Sequence, residues 1–141
     1  MLSREAKLVS GAILLVIPTI MYGGITLLGM LTKDIAGIDP GLVLTERQIA
    51  LFHAGHAHAG VWVILSLVLQ ILIDSTKLSR SMMWLARLCG PIAAIAVSGG
   101  FFGLAFFPEF RWLLYFGGSS LVIALLITGF GLLRNPGTPE K

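Results

Sequence analysis

All three histidines of this 141-residue chain fall in one short run, Phe52-His53-Ala54-Gly55-His56-Ala57-His58-Ala59-Gly60. Imidazole is the side chain that titrates near neutral pH, and it also binds haem iron, zinc and copper. A helical run would turn about 100° per residue. With His53 set at 0°, His56 then falls at about 300° and Gly60 at about 340°, with Glu46 at about 20°, while His58 falls at about 140° beside Arg47 at about 120°. His53 and His56 are therefore predicted to share a stripe and His58 to point elsewhere, so one straight helix does not offer all three rings to one ion.

The element that carries these rings is a membrane span. Only 12% of residues are charged and 56% are hydrophobic, with a mean hydropathy of +0.91, against roughly 25% charged in soluble domains. The charges are confined to clusters, leaving uncharged stretches at 8–32, 48–73, 88–108 and 112–133, which take 94 of 141 positions. Each is long enough to cross a hydrocarbon core of about 30 Å as a helix rising about 1.5 Å per residue. The fold predicted is an all-α, integral membrane four-helix bundle in antiparallel up-down order, one four-span domain over 1–141 with spans at about 8–32, 46–73, 82–107 and 111–133.

This excludes an extramembrane domain. The longest hydrophilic connection, 33–47, itself contains Ile35, Ile38, Leu42, Val43 and Leu44. The net charge of +3 does not point to nucleic acid, because the basic residues flank the spans. Arg4 and Lys7 precede an apolar run of 25 residues, longer than a signal-peptide core, so the first span is expected to stay as an anchor. The lone Cys89 excludes an intrachain disulfide.

Orientation follows from the Lys and Arg distribution. Arg4, Lys7, Lys77, Arg80, Arg134 and Lys141, with Arg87 just inside helix 3, lie on one side, and Lys33, Arg47 and Arg111 on the other. Both termini are thus expected in the cytoplasm, in the plasma (inner) membrane of a prokaryote. Thr45-Glu46-Arg47-Gln48 reads as a capping box that starts helix 2. Pro108 and Glu109 end helix 3, helix 4 begins near Arg111, and so short a connection makes the two helices antiparallel neighbours. Asn135-Pro136-Gly137 is expected to close helix 4.

On a depth scale, the three histidines lie roughly 12–20 Å below the external end of helix 2. Met21, Tyr22, Gly23, Gly24 and Thr26, then Ser98, Gly99 and Gly100, then Gly117, Gly118, Ser119 and Ser120 fall at the same level. The cytoplasmic half is expected to be plain Ile, Leu, Val and Ala packing. Intramembrane histidines are costly and face a bundle interior or a cavity. One use for them is interhelical hydrogen bonding to Ser98, Ser119, Ser120 or Tyr22. Another is a ligand: the glycines make a slot, and Phe52, Phe101, Phe102, Phe106, Tyr115 and Phe116 stand near its outer edge. Arg47 and Arg111 then lie where haem propionates would emerge. The site expected comprises His53, His56, His58, Tyr22, Gly99, Gly118, Arg47 and Arg111. For a bare ion, Cys89, Glu46 and Glu109 lie at other depths and do not complete a tetrahedral zinc site; copper(I), which takes Met and few ligands, stays open.

Gly55-His56-Ala57-His58-Ala59-Gly60 followed by Val61-Trp62-Val63-Ile64-Leu65-Ser66-Leu67 resembles the histidine-bearing helices of haem-copper oxidase subunit I and of short membrane proteins like it. The resemblance implies that a helical histidine ligates haem, with further histidines on other helices for copper and a second haem. Helices 1, 3 and 4 here contain no histidine, so the copper centre and bis-histidine ligation do not carry over within one chain, and an oxygen reductase is not expected. A comparison with the small four-span proteins of eicosanoid and glutathione metabolism matches length, span count and Arg47. Their catalytic helix needs Asn and Glu where this chain has Ala, Gly and Val. The resulting expectation is a membrane protein, cytochrome b-like, that binds haem b through His53 or His56 and acts in electron transfer, sensing or support of a respiratory complex. It is expected as a homo-oligomer or as a subunit of a larger membrane complex. The alternative is an intramembrane copper, zinc or proton site in a small transport or accessory subunit.

Overall fold

The first three helices each begin where a side-chain oxygen can take up the free amides of a first turn. In the computed structural model, which describes residues 1–32 and 43–134, the Ser3 hydroxyl accepts from the Ala6 amide and opens α1 (Arg4–Leu31). Thr45 and Gln48 form a reciprocal capping box that opens α2 (Glu46–Asp74). Ser79 accepts from the Met82 amide and opens α3 (Arg80–Leu104). A single 3-10 turn, Pro108–Phe110, leads directly into α4 (Arg111–Arg134). Helix α3 stops three residues before the end of the predicted third span. The Phe106 and Phe107 amides both turn back to the Gly103 carbonyl there, and Pro108 follows, which disfavours helix at the residue before it. The expected stop at Asn135-Pro136-Gly137 lies outside the described residues, as do Lys33 and Lys141.

All four helices are long and apolar enough to cross a membrane, at about 36–44 Å by their residue counts. Their outward faces carry large apolar side chains such as Leu15, Ile64, Ile95, Phe130 and Leu133, which is the surface that a bilayer requires. This is an all-α four-helix membrane bundle, with no strand among the described residues.

Consecutive helices pack antiparallel, and small residues set how close they come. Gly90 on α3 faces Ser66 on α2, where a Cβ would stand 3.1 Å from the hydroxyl oxygen. Gly117 on α4 lies against Val97 and Ala96, and Gly100 on α3 lies against the backbone and side chain of Leu114. The core is formed by α2, α3 and α4 through Leu69, Ile73, Ala86, Cys89, Ala93, Leu121 and Ala124. Helix α1 is a flank: it packs chiefly on α2, sparingly on α3, and not on α4.

Against the expectation of plain aliphatic packing, the half of the bundle near the amino terminus holds a polar clamp. Arg87 is 1% exposed and pairs with Asp74, the last residue of α2. One terminal nitrogen of its guanidinium donates to the Gln70 carbonyl and to the Gln70 side-chain oxygen, each at 3.2 Å. Pro91 explains the reciprocal bond: it has no N–H for the Arg87 carbonyl four residues earlier, and Gln70 Nε2 donates to that carbonyl at 3.1 Å instead. Ser3 completes the clamp, its amide and hydroxyl donating to the Asp74 carboxylate at 2.7 and 2.8 Å. The start of α1, the end of α2 and the second turn of α3 are thereby tied together at one point.

Candidate functional site

The three histidines face three ways, so the shared stripe expected for His53 and His56 is not used as one site: about 60° of helical rotation is enough to put one on the outer face and the other against α1. His53 is exposed on the outward stripe of α2 that continues through Ala57, Val61, Ile64 and Val68. His56 turns toward α1. A Cβ built on Gly24 would stand 3.0 Å from its Cε1 and Nε2, and one on Gly23 would stand 3.9 Å from its Nδ1. His58 turns toward α3, its ring 4.9 Å from that of Phe101 and 5.6 Å from that of Trp62 on its own helix.

His56 lines a cleft of about 250 Å³ between α1 and α2, shared with Tyr22, Gly23, Met30, Phe52 and Phe102 among others. Gly55 makes the far wall possible. The Phe102 ring lies flush on it, at 2.6 Å from where a Cβ would sit, and Phe52 packs against Phe102 at 5.2 Å between centroids. The cleft also holds the hydroxyls of Thr19 and Thr26, which donate to the carbonyls of Val16 and Tyr22 in their own helix and retain lone pairs that can accept.

The His58 ring has a defined tautomer when neutral. Its Nδ1 lies 2.7 Å from the Ala54 carbonyl oxygen; a carbonyl only accepts, so Nδ1 carries the proton and Nε2 keeps its lone pair. No described hydroxyl bonds a histidine across helices. Ser120 donates to the Phe116 carbonyl in its own turn. The buried Ser98 hydroxyl has no partner among the described residues. Since Gly90 faces Ser66 and Phe102 faces Gly55, the antiparallel register puts Ser98 at the level of His58.

Of the other expected site residues, Tyr22 joins His56 at the cleft while its ring is largely exposed. Gly99 comes no nearer to a neighbour than 3.9 Å from Leu113, across the α3–α4 contact, and Gly118 has open space beside it. Arg47 and Arg111 are exposed, the latter with its guanidinium 5.5 Å from the Trp112 ring centroid. Phe101 packs on His58, and Tyr115 and Phe116 face outward. The polar layer read along the chain is thus three separate contacts, at α1–α2, α2–α3 and α3–α4. Among the described residues no three His, Cys, Asp or Glu side chains gather where they could hold a metal ion. Met30 lines the His56 cleft but is six residues beyond Gly24, about 9 Å along the helix axis, which separates it from the imidazole as a joint copper ligand.

Residues overlooked by reading along the chain are Arg87, Asp74, Gln70 and Ser3. The available signal was Gln70 inside an apolar run and an arginine two turns into a span, which is costly unless paired. Comparison with known proteins finds no matching family model, no similar curated protein and no similar solved structure, so the reading of the site rests on its own geometry.

Proposed function

We propose that this chain is a small haem-binding membrane protein of cytochrome b-like character, serving electron transfer, sensing or support of a respiratory complex, in which His56 would hold haem b. The observation that carries this reading is the His56 cleft: one imidazole, glycines on one side, and the mutually tilted rings of Phe52 and Phe102 on the other. An imidazole can ligate haem iron, but here its Nε2 lies against Gly24 of α1, so α1 must give way for the group to enter, and one chain does not enclose it. The cleft, at about 250 Å³, is below the roughly 300–1,000 Å³ of pockets that enclose a drug-sized ligand. In this reading a second copy of the chain would have to supply the missing wall and a second imidazole. Bound haem would supply one-electron chemistry; the chain's part is to present an imidazole at its Gly23–Gly24 seat and to keep water away with Phe52, Phe102 and the surrounding lipid. The Lys and Arg excess on the amino-terminal side supports cytoplasmic termini and a prokaryotic inner membrane.

The test is a reduced-minus-oxidised absorption spectrum of detergent-purified protein, with haem and chain counted. The expected result is a Soret band at one haem per two chains, lost in His56→Ala and kept in His53→Ala. A folded, colourless protein overturns the haem reading, and copper or zinc found in its place by elemental analysis supports the metal alternative.

A further inference from the structure

We infer that the groove between α1 and α3 binds one anionic phospholipid, with its phosphate at the amino-terminal end of the bundle and an acyl chain running into the membrane. The inference does not depend on the His56 cleft. Two cavities follow one another along this groove. The first, about 190 Å³, is lined by Ser3, Glu5, Arg80, Met83, Trp84 and Arg87. The second, about 160 Å³, is apolar and lies between Ala12, Ile13 and Val16 of α1 and Pro91, Ala94 and Ile95 of α3, with α2 behind. Both helices run the same way, so the second cavity is about 15 Å deeper along each of them. A polar cavity at the membrane surface and a separate apolar one beneath it on the same α1–α3 face have the polarity profile of a phospholipid.

The first cavity offers a phosphate two guanidinium groups, Arg80 and Arg87, beside one carboxylate, Glu5. Arg87 is buried, and its two terminal nitrogens are committed to Gln70, Ser3 and Asp74. Its fifth donor, Nε–H, has no acceptor among the described residues, and the residue lines the cavity. Arg80 is 85% exposed, and its contact to the Glu5 carboxylate is 4.0 Å, a distance at which a solvated pair exchanges readily for a phosphate oxygen. Trp84 and Met83 offer an apolar seat beside these donors, as membrane-interface aromatics do. The surrounding charge favours an anionic headgroup: apart from the Arg87–Asp74 pair, the described residues on this side carry Arg4, Lys7, Lys77, Arg80 and Arg134 against Glu5. A lipid here bridges α1 to α3, two helices that otherwise touch little, and so holds the helix that forms one wall of the His56 cleft.

The experiment is native mass spectrometry and thermal melting of the full chain in neutral detergent. It is titrated with phosphatidylglycerol, phosphatidylcholine of the same acyl chains, soluble glycerophosphate and inorganic phosphate. Expected is one retained phosphatidylglycerol per chain with a raised melting temperature, and no comparable effect of the other three. Arg80→Gln weakens retention about ten-fold, the order expected for losing one charge-assisted hydrogen bond. Ala12→Phe, which fills the exposed side of the deeper cavity and leaves every charge in place, weakens it as well. Equal retention of the two lipids, or unchanged retention in both variants, overturns the proposal. Stabilisation by inorganic phosphate or glycerophosphate alone overturns the lipid assignment and leaves an anion site.

Discussion

Gly24 on α1 lies so close to His56 on α2 that a single added methyl would stand 3.0 Å from both Cε1 and Nε2 of the imidazole. That is tighter than ordinary van der Waals contact, so the ring must give. Gly24→Ala is expected to displace the His56 ring and shift its imidazole resonances, and to reduce any bound haem with them. Gly60→Ala, where open space surrounds the added methyl, leaves them unchanged. Unaltered His56 resonances in Gly24→Ala would show that the α1–α2 seat is elsewhere.

Adjacent glycines on α4 should respond with opposite sign. Gly117 has Val97 and Ala96 within 3.0 Å of its missing Cβ, including the Val97 backbone nitrogen, whereas Gly118 has nothing within 4 Å. Gly117→Ala should cost about 1–3 kcal/mol through forced separation of α3 and α4. Gly118→Ala should be neutral or stabilise by up to about 1 kcal/mol through helix propensity. Denaturant-dependent unfolding in mixed micelles checks both.

The Arg87–Asp74 pair predicts a strong non-additivity. Removing Asp74 leaves the buried Arg87 charge uncompensated, with a cost of about 3–5 kcal/mol, whereas removing Arg87 leaves a partly exposed Asp74 that still accepts from Ser3 and costs less. Asp74→Asn is expected to lower the melting temperature sharply, Arg87→Met to lower it less, and the double variant to recover part of the loss. Additive losses in the double-mutant cycle would show that the two residues act independently.

His58 should be found as the Nδ1–H tautomer when neutral, since Nδ1 donates to the Ala54 carbonyl at 2.7 Å. Nitrogen-15 chemical shifts of selectively labelled protein distinguish the two tautomers. Dominance of the Nε2–H form would contradict this hydrogen bond.

Gln48 has two tasks, and its loss should exceed that of a simple cap. Its side-chain oxygen accepts from the Thr45 amide, and its Nε2 donates to the Ala105 carbonyl at the end of α3. Thr45→Ala is expected to cost about 1 kcal/mol. Gln48→Ala should cost more and also raise amide exchange in the Phe106 turn, which a cap defect confined to α2 would not do.

Much of the fold was legible along the chain, and the site much less so. The Thr45–Gln48 box and the short link at Pro108 marked helix boundaries because capping and proline geometry act over three or four residues. The histidines showed their relative angles, since these follow from the helix repeat. Their absolute directions did not follow: turning α2 about its axis changes which ring meets α1, α3 or lipid without changing any spacing. Gly99, Gly100, Gly117 and Gly118 looked alike as small residues at one depth, yet two form the tight α3–α4 contact and Gly118 borders open space.

What the sequence determined by itself is the number, length and order of the membrane helices. A bilayer offers no hydrogen bonds to an open backbone, so each apolar run must be helical and must cross. What the tertiary structure alone decided is which polar side chains meet. Arg87 reads as a topology charge until the fold brings it to Asp74, Gln70 and Ser3, which are 13, 17 and 84 positions away. Only that encounter satisfies the four donors of its terminal nitrogens, and only the rotation of α2 against its neighbours turns one of three histidines into the cleft.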